Sequence, residues 1–219
     1  PYLSFYTRGG ARLGHREFVD HMFKDRLEDA YTKGALMGVF AELCATTFNF
    51  TRAQQDAYAL TSLSRALEAQ ASHAFDAEIA PVTLTIKGQD HVVGQDEQPQ
   101  KARPEKIPTL KPAFAKDGTV TAANASSISD GAAALVLGSR AAAEAQGLPI
   151  RAKIAGWAAH AQDPDWFTTA PIPAAQNLLD RLGWAVDDVD MWEVNEAFAV
   201  VPMIFMQQLG VPHEKLNVN

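Results

Sequence analysis

The sequence holds one cysteine, Cys44, in 219 residues. No disulfide can form within the chain, and a reducing, cytoplasmic compartment is the expectation. No apolar run approaches the ~18 residues of a membrane span, and the first residues lack the basic-then-apolar order of a leader peptide. Positive charge is also scarce: 19 Lys and Arg stand against 26 Asp and Glu, for a net charge of -7. That balance argues against a general nucleic-acid partner, because neutralising phosphates requires a basic surface. There is no Gly-rich phosphate loop and no H-E-x-x-H pattern. The six histidines, at positions 15, 21, 73, 91, 160 and 213, show no metal-ligand pairing with Cys44 or with carboxylates. The chain opens at Pro1 without an initiator Met and stops in L-N-V-N, a strand-like end with nothing to close it, so a piece of a longer protein is expected.

What is present suffices for a packed core: 47% of residues are hydrophobic and they are spread throughout, enough for one large domain or two small ones. After a Gly-punctuated start (Gly9, Gly10, Gly14), residues from about Phe18 to Tyr31 have a partly amphipathic helical pattern. A second helix is expected over Gly38 to Thr47. A third has the clearest signature, Thr51 with Gln54 three residues on as a capping box, then a stripe through Ala53, Ala57, Leu60 and Ala66 or Leu67 to about His73. Cys44, in A-E-L-C-A-T-T-F, fits a buried small hydrophobe better than a nucleophile.

Val82, Leu84 and Ile86 alternate with threonines in the period of a half-buried strand. From Val93 to Lys111 the pattern gives way to polar residues and prolines, an extended surface excursion. Here Lys101, Arg103, Lys106, Lys111 and Lys116 face only Glu105 and Asp117, either a solvated face or an anion site for a phosphorylated ligand. Thr119 to Ala122 reads as a strand, Asn124 to Gly131 as a turn of small polar residues, and Ala132 to Leu137 as a buried strand or helix start. Arg140 to Gln146 is helical and stopped by Gly147. Ile150 to Trp157 reads as a strand, and Ala174 to Leu182, after two prolines, as a helix ended by Gly183. His160, at the exit of that strand, is a candidate for facing a pocket, while His73 and His91 read as surface residues.

The chain is organised around Val189 to Leu209, V-D-M-W-E-V-N-E-A-F-A-V-V-P-M-I-F-M-Q-Q-L. A short β-like run, a polar Asn195-Glu196 pair and an apolar helical run give strand, turn and helix. Asn195 there either aims at a ligand or simply caps the helix. The order of elements from residue 150 onward is that of an α/β unit with a largely parallel sheet.

Several motifs in order resemble the thiolase family, acetyl-CoA acetyltransferases most of all. They are M-G at Met37, T-R-A-Q-Q-D-A-Y-A at Thr51, L-K-P-A-F at Leu110, G-T-V-T-A-A-N-A-S at Gly118, S-D-G-A-A-A at Ser129, P-I-P-A at Pro171 and V-N-E-A-F-A at Val194. The resemblance covers essentially the whole chain. It implies an α/β, layered αβαβα fold, incomplete here, with an inserted and mainly helical loop domain. Residues 1–115 would be mostly that CoA-binding insertion, 116–149 the end of the first half and 150–219 the start of the second.

The activity it implies is acyl transfer between CoA thioesters, by reversible formation or thiolysis of acetoacetyl-CoA through an acyl-cysteine. Coenzyme A or acetyl-CoA would be the substrate, with no tightly bound cofactor and no metal, and the protein a homodimer or homotetramer. The nucleophilic Cys would precede Pro1, and a His and second Cys would follow Asn219; Cys44 matches none of the three. By match to the family, Asn195 would hold a water at the enolate oxygen with Glu196 in support. Ala122, Ala125 and Ser126 would line the pantetheine, and Met37, Phe114, Phe167 and Phe198 would wall the tunnel. The phosphate contact falls to Arg103 or Lys106, because Pro99 stands near where an Arg is expected. Leu36 and Ala123 depart from the family pattern at positions that could alter acyl-chain preference. The alternatives are a non-catalytic CoA-binding or assembly module, or an inactive fragment.

Overall fold

The computed structural model describes residues 17–219 and, ahead of them, the strand β1 (Tyr2–Leu3). The Gly-punctuated start and His15 lie outside the described residues. β1 pairs antiparallel with β2 (Val19–Asp20). Instead of the helix expected over residues 18–31 there is only one wide helical turn, Phe23–Leu27, with Phe18 and Tyr31 largely exposed. Too few apolar residues repeat there to bury a stripe.

Two helices follow as the sequence implies, α1 (Met37–Thr47) and α2 (Arg52–Ala71). Thr51 caps α2: its hydroxyl accepts from Gln54 N, and the Gln54 carboxamide oxygen accepts from Thr51 N at 2.8 Å. The buried face of α2 differs from the expected stripe. Ala53 and Ala57 are exposed, whereas Gln55, Asp56, Tyr58 and Ala69 are buried, so this helix docks largely through polar side chains.

β3 (Val82–Ile86) and β4 (Gln89–Val93) form a hairpin in register from Val82–Val93 to Ile86–Gln89. Lys87 and Gly88 turn it with positive φ at both, the geometry of a type I′ loop. The hairpin is exposed on both faces, not half-buried. The following excursion contains α3 (Glu97–Lys101) and a 3₁₀ turn, Pro104–Thr109.

The strands expected at Thr119 to Ala122, Ile150 to Trp157 and Val189 to Val194, and the buried strand or helix start expected at Ala132 to Leu137, do not form. Leu135, Val136 and Leu137 stand 88%, 92% and 73% exposed. Within the described residues no neighbouring backbone offers these segments a ladder, and a strand without a partner leaves its N–H and C=O groups to water. From residue 119 onward the described residues have only single bridges, antiparallel between Ala125 and Phe198 and parallel between Trp192 and Leu216. The helices need no such partner, and α4 (Arg140–Ala145), α5 (Pro171–Leu182) and α6 (Val200–Leu209) form where expected; Gly183 closes α5 with φ 66°.

α6 is the centre of the core. Val200, Val201, Ile204 and Phe205 are buried and pack with Ala41, Cys44 and Ala45 of α1, with Ile172 of α5, and with Tyr58, Val120, Phe198 and Leu216. Pro202 sits in the first turn of α6, where its missing N–H would have had no intrahelical acceptor anyway. No described helix is long and apolar enough to cross a membrane.

Candidate active site

Two turns far apart in sequence are joined at the N-terminal end of α6. Ser126 N donates to Ala197 O at 3.0 Å and Ala199 N to Asn124 O at 2.8 Å, flanking the Ala125–Phe198 bridge. The Ser126 hydroxyl donates to Glu196 O at 2.6 Å. The small residues expected to permit close approach are thus packed against the Asn195–Phe198 turn.

The first turn is held from below. Glu42 of α1 accepts from Thr119 N and Val120 N at 2.8 Å, and Gln55 donates to the Thr119 hydroxyl at 2.8 Å. The Asn124 side chain accepts from Thr121 N at 2.7 Å and donates to Asp56 at 3.2 Å, while Asp56 receives both its oxygens' bonds from Arg52 Nε at 2.8–2.9 Å. Arg52 also donates to Ile107 O at 2.8 Å, tying in the excursion.

The second turn hangs on the next stretch of α2. Tyr58, Ser62 and Arg65 lie at i, i+4 and i+7, on one helical face. Glu196 accepts from Tyr58 Oη at 2.7 Å, Ser62 Oγ at 2.6 Å and Asn217 Nδ2 at 2.8 Å. Burial, and then the Glu196 carboxylate, push the Tyr58 hydroxyl well above its usual range, so it stays a donor. Arg65 donates to the carbonyls of His213, Leu216 and Asn217 at 2.8–3.0 Å.

Asn195 itself is exposed, and its side chain has no hydrogen bond among the described residues. It is not the helix cap: α6 begins at Val200 with Ala199 in the capping position. Held between Val194 and Glu196, the amide is free to meet a ligand.

Met37, Phe114, Phe167 and Phe198, expected together from sequence, all pack on one cluster. Phe114 meets Phe198 edge-on at 6.1 Å and Phe167 meets Phe40 at 6.4 Å. Ala122 and Ser126 are exposed and Ala125 half-buried beside them. Arg103 and Lys106 are placed otherwise. They flank and enter the exposed 3₁₀ turn, and neither side chain has a hydrogen bond or ion pair among the described residues. Cys44 is buried, with its thiol pushed up by desolvation despite the Thr168 hydroxyl, an environment that suppresses the thiolate. His160 is exposed, and its hydrogen bond among the described residues is to Gln162 at 3.0 Å.

A cleft of ≈ 70 Å³ lies between Tyr58, Ser62, Ala123, Asn124, Ala125 and Glu196. It can take water but not a drug-sized ligand. A larger cavity, ≈ 680 Å³, is elsewhere, under the C-terminal end of α2, lined by His73, Phe75, Ile79, Val93 and Pro99 among others.

Sequence reasoning missed Tyr58, Ser62, Arg65, Asn217 and Glu42. The spacing of the first three was visible, but nothing local says what they bind.

His213 stacks on Tyr58, ring centroids 5.1 Å apart. Burial and the Arg65 charge hold its imidazole below the usual 6.5, with Glu196 and Glu214 pulling the other way. Well above pH 6.5 it is neutral folded and unfolded and contributes no pH dependence. Below that the unfolded chain takes up the proton more readily, so stability falls as pH drops. Melting curves on the acid side are expected to show wild type losing stability more steeply than His213→Gln, with parallel behaviour above neutrality; equal slopes would remove His213 from the acid response.

The description "Thiolase, N-terminal domain" matches residues 2–141 and "Thiolase, C-terminal domain" residues 148–219. The chain is 44% identical to an acetyl-CoA acetyltransferase of Schizosaccharomyces pombe, covering 100% of this chain and 56% of that protein. It is 47% identical to acetyl-CoA acetyltransferase 2 of Arabidopsis thaliana, over 97% of this chain and 53% of that one. The crystal structure of the Bacillus anthracis acetyl-CoA acetyltransferase superposes with a TM-score of 0.93 at 39% identity, covering 100% of this chain and 55% of that chain. The chain therefore spans about half the length of the relatives it matches.

Proposed function

The chain belongs to the thiolase family, and from that premise we propose that it is the middle section of an acetyl-CoA acetyltransferase. The fold is that family's layered α/β arrangement, incomplete, with a mainly helical insertion. In this reading residues 1–115 are mostly the insertion, 116–149 finish the first half and 150–219 begin the second.

The reaction is acyl transfer between CoA thioesters. A cysteine thiolate outside these residues attacks the acetyl thioester and expels coenzyme A. A base then removes a proton beside the carbonyl of a second acetyl-CoA, and the resulting enolate attacks the acyl-cysteine, forming the C–C bond and freeing the thiolate. Asn195 supports the enolate oxygen through a water, and Glu196 holds the turn. Ala122, Ala125 and Ser126 approach the pantetheine, Met37, Phe114, Phe167 and Phe198 wall the acyl tunnel, and Arg103 or Lys106 reaches a phosphate. Cys44 plays no covalent part, in keeping with its burial. The reading includes a cytoplasmic homodimer or homotetramer.

The observation that supports this best is the joining of the Ser126 and Glu196 turns beneath an unengaged Asn195. The full-length protein is expected to thiolyse acetoacetyl-CoA, and residues 1–219 alone to be inactive; turnover by these residues alone would place the nucleophile inside them. Calorimetry supplies a second check. Ser126→Trp is expected to weaken CoA binding by at least about tenfold, a loss of ~1.4 kcal/mol. Unchanged affinity would move the pantetheine path away from this turn.

A further inference from the structure

Asn217 has φ 47°, in the left-handed region that Asn enters more readily than other side-chain-bearing residues. It follows the parallel bridge between Trp192 and Leu216: Trp192 N donates to Lys215 O at 2.7 Å and Asn217 N to Trp192 O at 2.9 Å. A continuing ladder would bring backbone to Val194 next. Instead the left-handed turn carries the backbone off, and the Asn217 side-chain amide takes the rung. Its Oδ1 accepts from Val194 N at 2.7 Å and its Nδ2 donates to Val194 O at 2.8 Å. The same Nδ2 donates to Glu196 Oε1 at 2.8 Å. One side chain thus grips the residue before Asn195 by both backbone groups and the residue after it by its carboxylate. The Asn217 carbonyl is itself held by Arg65 Nη1 at 3.0 Å, so α2 anchors the clamp.

We propose that Asn217 is a positioning residue that sets the direction in which Asn195 presents its amide. The inference rests on the reading of Asn195 as the donor at the enolate oxygen. A side-chain amide is required because it offers donor and acceptor together; an ionised carboxylate only accepts, and here it would face Glu196. Glycine would keep the backbone conformation and remove the grip, which separates the two roles of the residue.

The test uses the full-length protein, with Asn217→Gly, Asn217→Asp, Asn195→Ala and the Asn195→Ala/Asn217→Gly double variant assayed for acetoacetyl-CoA thiolysis. Asn217→Gly is expected to lower kcat about ten- to a hundredfold, the scale of a misplaced reacting group, with KM within about twofold. In the Asn195→Ala background it is expected to add little, because both changes remove one contribution. For Asn217→Asp the kcat ratio to wild type is expected to rise as pH falls: the introduced carboxyl, its proton held more tightly beside Glu196, again becomes a donor. A purely structural residue would lower the melting temperature without this recovery. If Asn195→Ala lowers kcat while Asn217→Gly does not, or if Asn217→Gly costs as much in the double variant as alone, the positioning role is overturned and the reading of Asn195 stands. If Asn195→Ala leaves kcat unchanged, both fall. Should Asn217→Gly not fold, the pH course of Asn217→Asp decides, a flat ratio overturning the proposal.

Discussion

Replacing Asn195 by Ala in the full-length protein is expected to lower kcat for acetoacetyl-CoA thiolysis about a hundred- to a thousandfold, the cost of removing one fixed donor at a developing oxyanion. KM is expected to move little, because the donor acts where charge develops and not where the thioester first binds. The fold should be indifferent to the change: the Asn195 side chain is exposed and makes no hydrogen bond among the described residues, and Ala199, not Asn195, occupies the capping position of α6. Circular dichroism and melting should therefore match wild type. An Asn195→Ala protein with wild-type kcat would remove the residue from the chemistry, and one that unfolds would assign it to structure.

The second large effect is expected at Gly38. A Cβ built there would lie 2.2 Å from the Phe114 ring, far inside van der Waals contact. The ring cannot swing aside freely, since Phe114 packs edge-on against Phe198 within the core cluster. Gly38→Ala is expected to destabilise the protein by about 1–3 kcal/mol, the usual cost of overpacking, against the small gain a helical Ala would otherwise bring. Phe114→Leu in the same chain should recover part of that loss, and denaturant midpoints of the single and double variants measure both. If Gly38→Ala is as stable as wild type, α1 and Phe114 are not in the contact described. Because Phe114 and Phe198 are also proposed to wall the acyl tunnel, the same variant should change the ratio of rates on short and long 3-ketoacyl thioesters.

Much of the site was legible before the fold was known, but unevenly. The Asn-Glu pair at residues 195 and 196, the small residues at 122–126 and the apolar set of Met37, Phe114, Phe167 and Phe198 stand out in the sequence by residue type and motif. The structure brings the Ser126 and Glu196 turns together and seats that apolar set on one cluster. Arg103 and Lys106 show the opposite case. Their charge was visible in a basic run, yet both lie at an exposed turn where neither side chain has a hydrogen bond or ion pair among the described residues. The misread face of α2 is instructive too. Ala53 and Ala57 looked like the core stripe, but the helix docks through Gln55, Asp56 and Tyr58, because the segments it supports, 119–124, 194–196 and 213–217, are turns whose polar groups need partners.

The sequence by itself determined the helices α1, α2, α4, α5 and α6, the cap of α2 and the stop of α5, and the residue types at the two turns. A helix satisfies its backbone within its own segment, so Thr51 with Gln54, or Gly183 after Leu182, is enough to mark it. Only the tertiary structure decided which β-like segments become strands, since a ladder requires a partner that sequence periodicity does not name. It alone also decided that Tyr58, Ser62 and Asn217 converge on Glu196 across separations of up to 138 residues, and that Arg65 holds the Asn217 carbonyl from 152 residues away. Hydrogen bonds of that kind are fixed by where the packing of α1, α2 and α6 places the groups.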